Sequence, residues 1–114
     1  MDIDLQNGTM EFVGRSLPHN SDQFYQRVYH WIDEYLKVPQ ESTEVRVKLD
    51  YMDTSSSKHF YNIFERLNAV VDKGASVNVS WHYEPGDEDM EETGKNYRDL
   101  FNLDFQFIEQ DELF

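Results

Sequence analysis

Two segments, at 44–52 and 75–83, set the tightest limit on what this chain can fold into. In the first, Val45, Val47, Leu49 and Tyr51 alternate with Arg46, Lys48 and Asp50; in the second, Val77, Val79, Trp81 and Tyr83 alternate with Asn78, Ser80 and His82. Successive side chains of a strand point to opposite faces, so each segment reads as a strand with one apolar and one polar face. Strands covered by helices on both faces are apolar almost throughout, and these are not. The closing segment at 103–108 repeats the pattern, with Phe105 and Phe107 about Gln106. The expectation is a two-layer α/β domain: a mixed sheet of about five strands, all helices packed on one face, and the other face open to water or a partner.

The segments between the strands carry the 3.6-residue period of helices, and the whole order reads ββαβαβαβ. Residues 3–6 and 9–14 flank Asn7-Gly8, a dipeptide that supplies positive φ at a tight hairpin turn. Asn20, followed three residues later by Gln23, can cap a helix whose face holds Phe24, Val28, Trp31 and Tyr35, widened by Tyr25, Tyr29, Ile32 and Leu36. That helix should end near Val38-Pro39, since the residue before proline leaves the α region. A second helix from about residue 55 uses Phe60, Ile63, Phe64, Leu67 and Val71 and stops at Lys73-Gly74. A third uses Met90, Tyr97 and Phe101, although Gly94 in mid-run weakens it.

At 114 residues the chain is long enough for one domain, spanning 1–114, with a core of its own. Hydrophobic residues make up 39% and aromatic ones 15%, which a disordered acidic chain would not have. The formal charge is −13, from 10 Lys+Arg against 23 Asp+Glu, so the mean field repels nucleic acid and anionic lipid. Neither is an expected partner. Cysteine is absent, which removes disulfides, thiolate metal sites and a cysteine nucleophile together. The opening MDIDLQNG has no basic start or apolar run, and no segment approaches the roughly 20 apolar residues of a bilayer span, so a cytoplasmic location is expected.

Between the strand at 44–52 and the following helix lies Asp53-Thr54-Ser55-Ser56-Ser57-Lys58. One reading makes Thr54 or Ser55 an N-cap that accepts from backbone N–H groups two or three residues on. The other makes a hydroxyl here a phosphoacceptor. A strand end leading into a helix start is a common place for ligands, and unpaired N–H groups and the helix dipole favour negative charge there. Asp53 would repel a phosphate and Lys58 would offset part of that repulsion.

The segment LDYMDTSSSKHFYNIFERL, then VNVSWHYEPGDEDMEETG, together with GTMEFVGRSLPHN and FYQRVYHWIDEYL nearer the start, resembles the SiaC-like biofilm-regulation phosphoprotein family over nearly the whole chain. That family is in turn similar to the STAS-domain anti-anti-sigma factors, whose Asp-Ser-Ser-Gly turn carries the phosphorylated serine. Carried over, Asp53 matches the aspartate and Thr54 the phosphorylated hydroxyl, with Ser55 next. Ser56 stands where the STAS pattern has glycine, which favours the SiaC-like assignment. The resemblance implies a STAS-like fold and a non-catalytic partner-switching protein without a cofactor. A Ser/Thr kinase would phosphorylate Thr54 and a PP2C-type phosphatase would reverse it. The unphosphorylated form would activate a target such as a diguanylate cyclase, which makes cyclic-di-GMP.

The remaining constellations point less sharply. Glu84, Asp87, Glu88, Asp89, Glu91 and Glu92 have the density of a cation site, but lack the alternate-position spacing and loop glycine of an EF-hand, and acids also suit a first helical turn. An alternative function is a small enzyme or metal-binding domain using His82, Glu84 and the acidic loop 87–92. Against an enzyme stands the absence of a G-x-S-x-G elbow, and no glycine-rich phosphate loop is present to make the chain a kinase. Tyr25, Tyr29 and His82 are candidate partner-docking residues, the tyrosines because aromatics cover more of the first helix than one core stripe requires.

Overall fold

A computed structural model describes residues 2–4, 8–14, 21–49, 54–101 and 103–111. The chain runs β1 (Asp2–Asp4), β2 (Thr9–Gly14), α1 (Ser21–Tyr35), β3 (Ser42–Leu49), α2 (Thr54–Asp72), β4 (Ser76–Tyr83), α3 (Glu88–Leu100) and β5 (Asp104–Glu109). The opening hairpin forms as its turn residue dictates: β1 pairs antiparallel with β2, and Gly8 sits at φ +71°. A Cβ there would also stand 2.7 Å from the Ser42 carbonyl oxygen. Asn7, Asn20 and residues 50–53 lie outside the described residues, so the turn asparagine, the first helix cap and the end of the 44–52 strand are not placed.

Strands β2 to β5 are all parallel, and the sheet order follows the chain order without reversal. Strand–helix–strand crossovers are right-handed as a rule, so a sheet that never reverses its winding carries its three crossover helices on one face. The burial confirms it. Met10, Phe12, Val45, Val47, Val79 and Trp81 are buried beneath the helices, while Arg46 is exposed and Glu44, Lys48, Asn78 and Ser80 are half-covered on the opposite face.

One apolar cluster joins the sheet to all three helices. Phe64 of α2 lies at its centre, with ring centroids 5.0 Å from Tyr97, 5.3 Å from Phe105, 6.0 Å from Phe60 and 6.4 Å from Trp81. Tyr35 closes the far end: its hydroxyl meets the buried Thr43 Oγ1 at 2.7 Å and accepts from the Gln40 amide at 3.1 Å. Trp81 donates its indole N–H to the Met90 carbonyl at 2.8 Å, which fixes α3 over the sheet.

Two sequence expectations need correction. Trp31, placed in the core stripe of the first helix, is 40% exposed; the buried stripe is Tyr25, Val28, Tyr29, Ile32 and Tyr35, with Phe24 and Leu36 partly covered. Helix α1 therefore sits rotated toward Tyr25 and Tyr29, which α2 covers. The helix also stops at Tyr35, ahead of Val38-Pro39, and residues 36–38 continue as a turn.

Gly94, which weakens the third helix by propensity, has a packing reason. A Cβ at this position would lie 2.7 Å from Trp81 Cδ1 and Nε1 and 2.8 Å from Phe107 Cε1, so α3 approaches the sheet more closely than any side chain allows. Gly94→Ala is expected to destabilise the fold by about 1–3 kcal/mol through overpacking, despite alanine's better helix propensity. Urea denaturation followed by tryptophan fluorescence measures it. An unchanged or higher midpoint would mean that α3 has room to move away.

Candidate functional site

Helix α2 begins at Thr54, the hydroxyl that the family resemblance singles out in the stretch after the third strand. The first turn of any helix leaves backbone N–H groups without intrahelical partners and carries the positive end of the dipole. In α2 no acidic residue stands in that turn, whereas α3 begins with Glu88, Asp89 and Glu91 and is capped by Asp87, whose carboxylate accepts from the Met90 amide at 3.1 Å. The start of α2 is thus the helix end at which an acquired negative charge meets no helical carboxylate. Asp53 and the side chains of Thr54 and Ser55 lie outside the description. Ser56 is 2% exposed and directed into the fold, Ser57 is half-buried, and Lys58 is exposed.

Ser57 ties this first turn to α3. The Tyr97 hydroxyl donates to the Ser57 carbonyl at 2.6 Å, which commits its only proton, so Ser57 Oγ donates back to the Tyr97 oxygen at 3.1 Å. Burial holds the Tyr97 phenol above its ordinary pKa, opposed in part by the Ser57 bond, and it therefore remains a donor at neutral pH. The helices run side by side here, with Ser57 level with Tyr97 and Tyr61 level with Phe101, whose rings are 5.2 Å apart. Between them is an open groove of about 590 Å³, lined by Ser57, Lys58 and Tyr61 from α2 and by Thr93, Tyr97 and Leu100 from α3. Tyr61 is 41% and Leu100 61% exposed. Thr54 is three and four residues, about one helical turn, ahead of Ser57 and Lys58 on α2.

Sequence reasoning did not find this groove. Its one available signal was Tyr61 and Leu100, apolar residues outside the core stripes of their own helices. The residues expected to dock a partner lie elsewhere and are covered. Tyr25 is fully buried and stacks on His59 at 4.3 Å between ring centroids, and Tyr29 is 6% exposed, its hydroxyl 2.5 Å from His59 Nδ1 and its ring under the Arg66 guanidinium. They form the α1–α2 seam, so a docking role for their side chains does not fit. His82 is 8% exposed on the polar sheet face, with Nδ1 2.9 Å from Gln110 Oε1. Burial lowers its pKa most, Lys48 and Arg46 add to the lowering, and the Gln110 bond and Glu11 oppose it.

The residues of the enzyme or metal alternative are not drawn together. His82 is engaged by Gln110, Asp87 caps α3, and Glu91 accepts from the Tyr83 hydroxyl at 3.2 Å and pairs with Lys95 at 3.4 Å. Among the described residues, no three histidines or carboxylates are grouped to hold a metal ion. Nor is any helix among them long and apolar enough to cross a membrane.

Comparison with known proteins places the chain. An uncharacterized protein of Pseudomonas aeruginosa strain UCBPP-PA14 is 29% identical over 109 residues, covering 96% of this chain and 86% of the relative. The fold is similar to a chain in the crystal structure of the diguanylate cyclase SiaD in complex with its activator SiaC from Pseudomonas aeruginosa, at TM-score 0.84 and 28% identity, covering 94% of this chain and 88% of that one. It is also similar to a structure of SiaC of Pseudomonas aeruginosa, at TM-score 0.81 and 26% identity, covering 94% and 86%. Residues 1–110 match the family described as SiaC family regulatory phosphoprotein, and the chain is accordingly a member of the SiaC family of regulatory phosphoproteins.

Proposed function

We propose that this protein is the phosphorylation-controlled activator of a partner-switching circuit, acting as a single non-catalytic STAS-like domain in the cytoplasm. In its unphosphorylated form it binds and activates a diguanylate cyclase. A Ser/Thr kinase phosphorylates Thr54, and a PP2C-type phosphatase reverses the modification. Family membership supports the regulatory role, and the related SiaC of Pseudomonas aeruginosa is the activator of the diguanylate cyclase SiaD with which it is crystallised. The observation that carries the choice of residue is the start of α2. Thr54 opens a helix whose first turn lacks acidic residues, and Lys58 follows at the i+4 position where it can pair with a phosphate.

The test is phosphate incorporation by the cognate kinase. Thr54→Ala is expected to abolish it, as read by intact mass. Undiminished incorporation would move the site to Ser55 or Ser56. Ser56 is buried, so a kinase could reach it only by unwinding the first turn of α2.

A further inference from the structure

We infer, on the phosphorylation reading above, that the Tyr97 hydroxyl is a latch on the first turn of α2 and that its opening admits the kinase to the phosphoacceptor stretch. Tyr97 is then a positioning residue for phosphoryl transfer, acting through the backbone of Ser57. Residues 54–57, Thr-Ser-Ser-Ser, are four consecutive poor helix formers, whose hydroxyls compete with the helix for its own backbone groups. No acidic residue in this turn meets the dipole, as Glu88, Asp89 and Glu91 do in α3. Local chemistry alone would leave such a turn frayed. What holds it comes from outside. Ser56 is packed into the fold at 2% exposure, and Tyr97, forty residues on, donates to the Ser57 carbonyl at 2.6 Å and accepts from Ser57 Oγ at 3.1 Å.

The holding side is the rigid one. The Tyr97 ring is buried, 5.0 Å from Phe64 and 5.8 Å from Trp81 between centroids, and Trp81 is bonded back to α3 through the Met90 carbonyl. The hydroxyl is therefore a fixed point of the core, and the turn is the part that opens. In phosphoryl transfer the acceptor oxygen takes the terminal phosphoryl group of a nucleoside triphosphate, in line with the leaving diphosphate, and gives its proton to a base of the kinase. That alignment is made inside the kinase cleft, which residues 54–57 enter only when the turn parts from α3. Only the parted fraction is then a substrate, so the latch raises KM and leaves kcat alone.

The test compares Tyr97→Phe with Tyr35→Phe in the full chain, each removing one phenolic hydroxyl and keeping the ring. The Ser57 carbonyl retains its helical donor at position 61, and Ser57 lines the open groove, where its hydroxyl reaches water. Tyr35 bonds the fully buried Thr43 at the far end of the helical layer, so its loss lowers global stability at least as far. In Tyr97→Phe, hydrogen exchange is expected to speed about three- to tenfold at amides 58–61, which donate to the carbonyls of 54–57, the worth of one or two hydrogen bonds. Tyr35→Phe is expected to leave those amides within about twofold, the mark of a local opening. With the cognate kinase, Tyr97→Phe is expected to lower KM by the same factor at unchanged kcat, and Tyr35→Phe to change neither. Exchange at 58–61 that is unchanged, or raised alike by both variants, would overturn the latch. Faster exchange with an unchanged KM would overturn its control of the kinase. If the unaltered chain takes up no phosphate, the phosphorylation reading falls and that control with it, while exchange still decides the latch.

Discussion

Phe64→Ala is expected to remove about 3–5 kcal/mol of folding stability, the range for truncating a fully buried aromatic residue in a core that cannot collapse around the gap. Phe64 is fully buried and touches rings from α2, β4, α3 and β5. Relaxation of any one of these elements would pull it from the other three, so the cavity should persist. Domains of this size are stable by about 5–15 kcal/mol, and the loss would bring the chain close to unfolding at ambient temperature. Urea denaturation should show a much lower midpoint with an unchanged slope. A loss below about 1 kcal/mol would mean that the helical layer slides to refill the space.

The second large effect concerns the switch. Thr54→Glu places a permanent charge in the first turn of α2. A carboxylate there suits the dipole and should leave the fold as stable or stabilise it by about 0.3–1 kcal/mol. Its cost falls on binding. With Lys58 drawn into an i, i+4 pair, affinity for the cyclase is expected to drop by about tenfold or more, while Thr54→Ala binds as the unaltered protein does. A carboxylate carries less charge than a phosphate, so the loss should be smaller than that on true phosphorylation. Stability preserved and binding lost separates a surface switch from damage to the fold. A fall in both together would contradict it.

Much of the fold was legible because local chemistry and global architecture agree. The alternation at 44–52 and 75–83 placed a single buried face on β3 and β4, and Asn7-Gly8 announced the hairpin. Lys73-Gly74 ended α2, where Gly74 lies at φ +95°. What sequence reasoning misjudged depends on partners distant along the chain. Tyr25, Tyr29 and Trp31 are comparable aromatics on one helix, and which of them is buried is decided by His59 and Arg66 of α2, thirty or more residues away. Gly94 reads as a weakness until Trp81 and Phe107 are seen against it. The two helices that wall the groove are joined by the Ser57–Tyr97 bonds across forty residues of chain. No periodicity within either helix encodes that juxtaposition. Thr54 itself was found from its place between strand and helix together with family resemblance, and it is the first residue of α2.

The most direct measurement is cyclic-di-GMP synthesis by the cognate cyclase in the presence of this protein, prepared fully phosphorylated on Thr54 and again after phosphatase treatment. The account predicts that the dephosphorylated protein raises the rate and that the phosphorylated protein leaves it at the level of the cyclase alone. Equal stimulation by both forms, or stimulation by the phosphorylated form only, would contradict it.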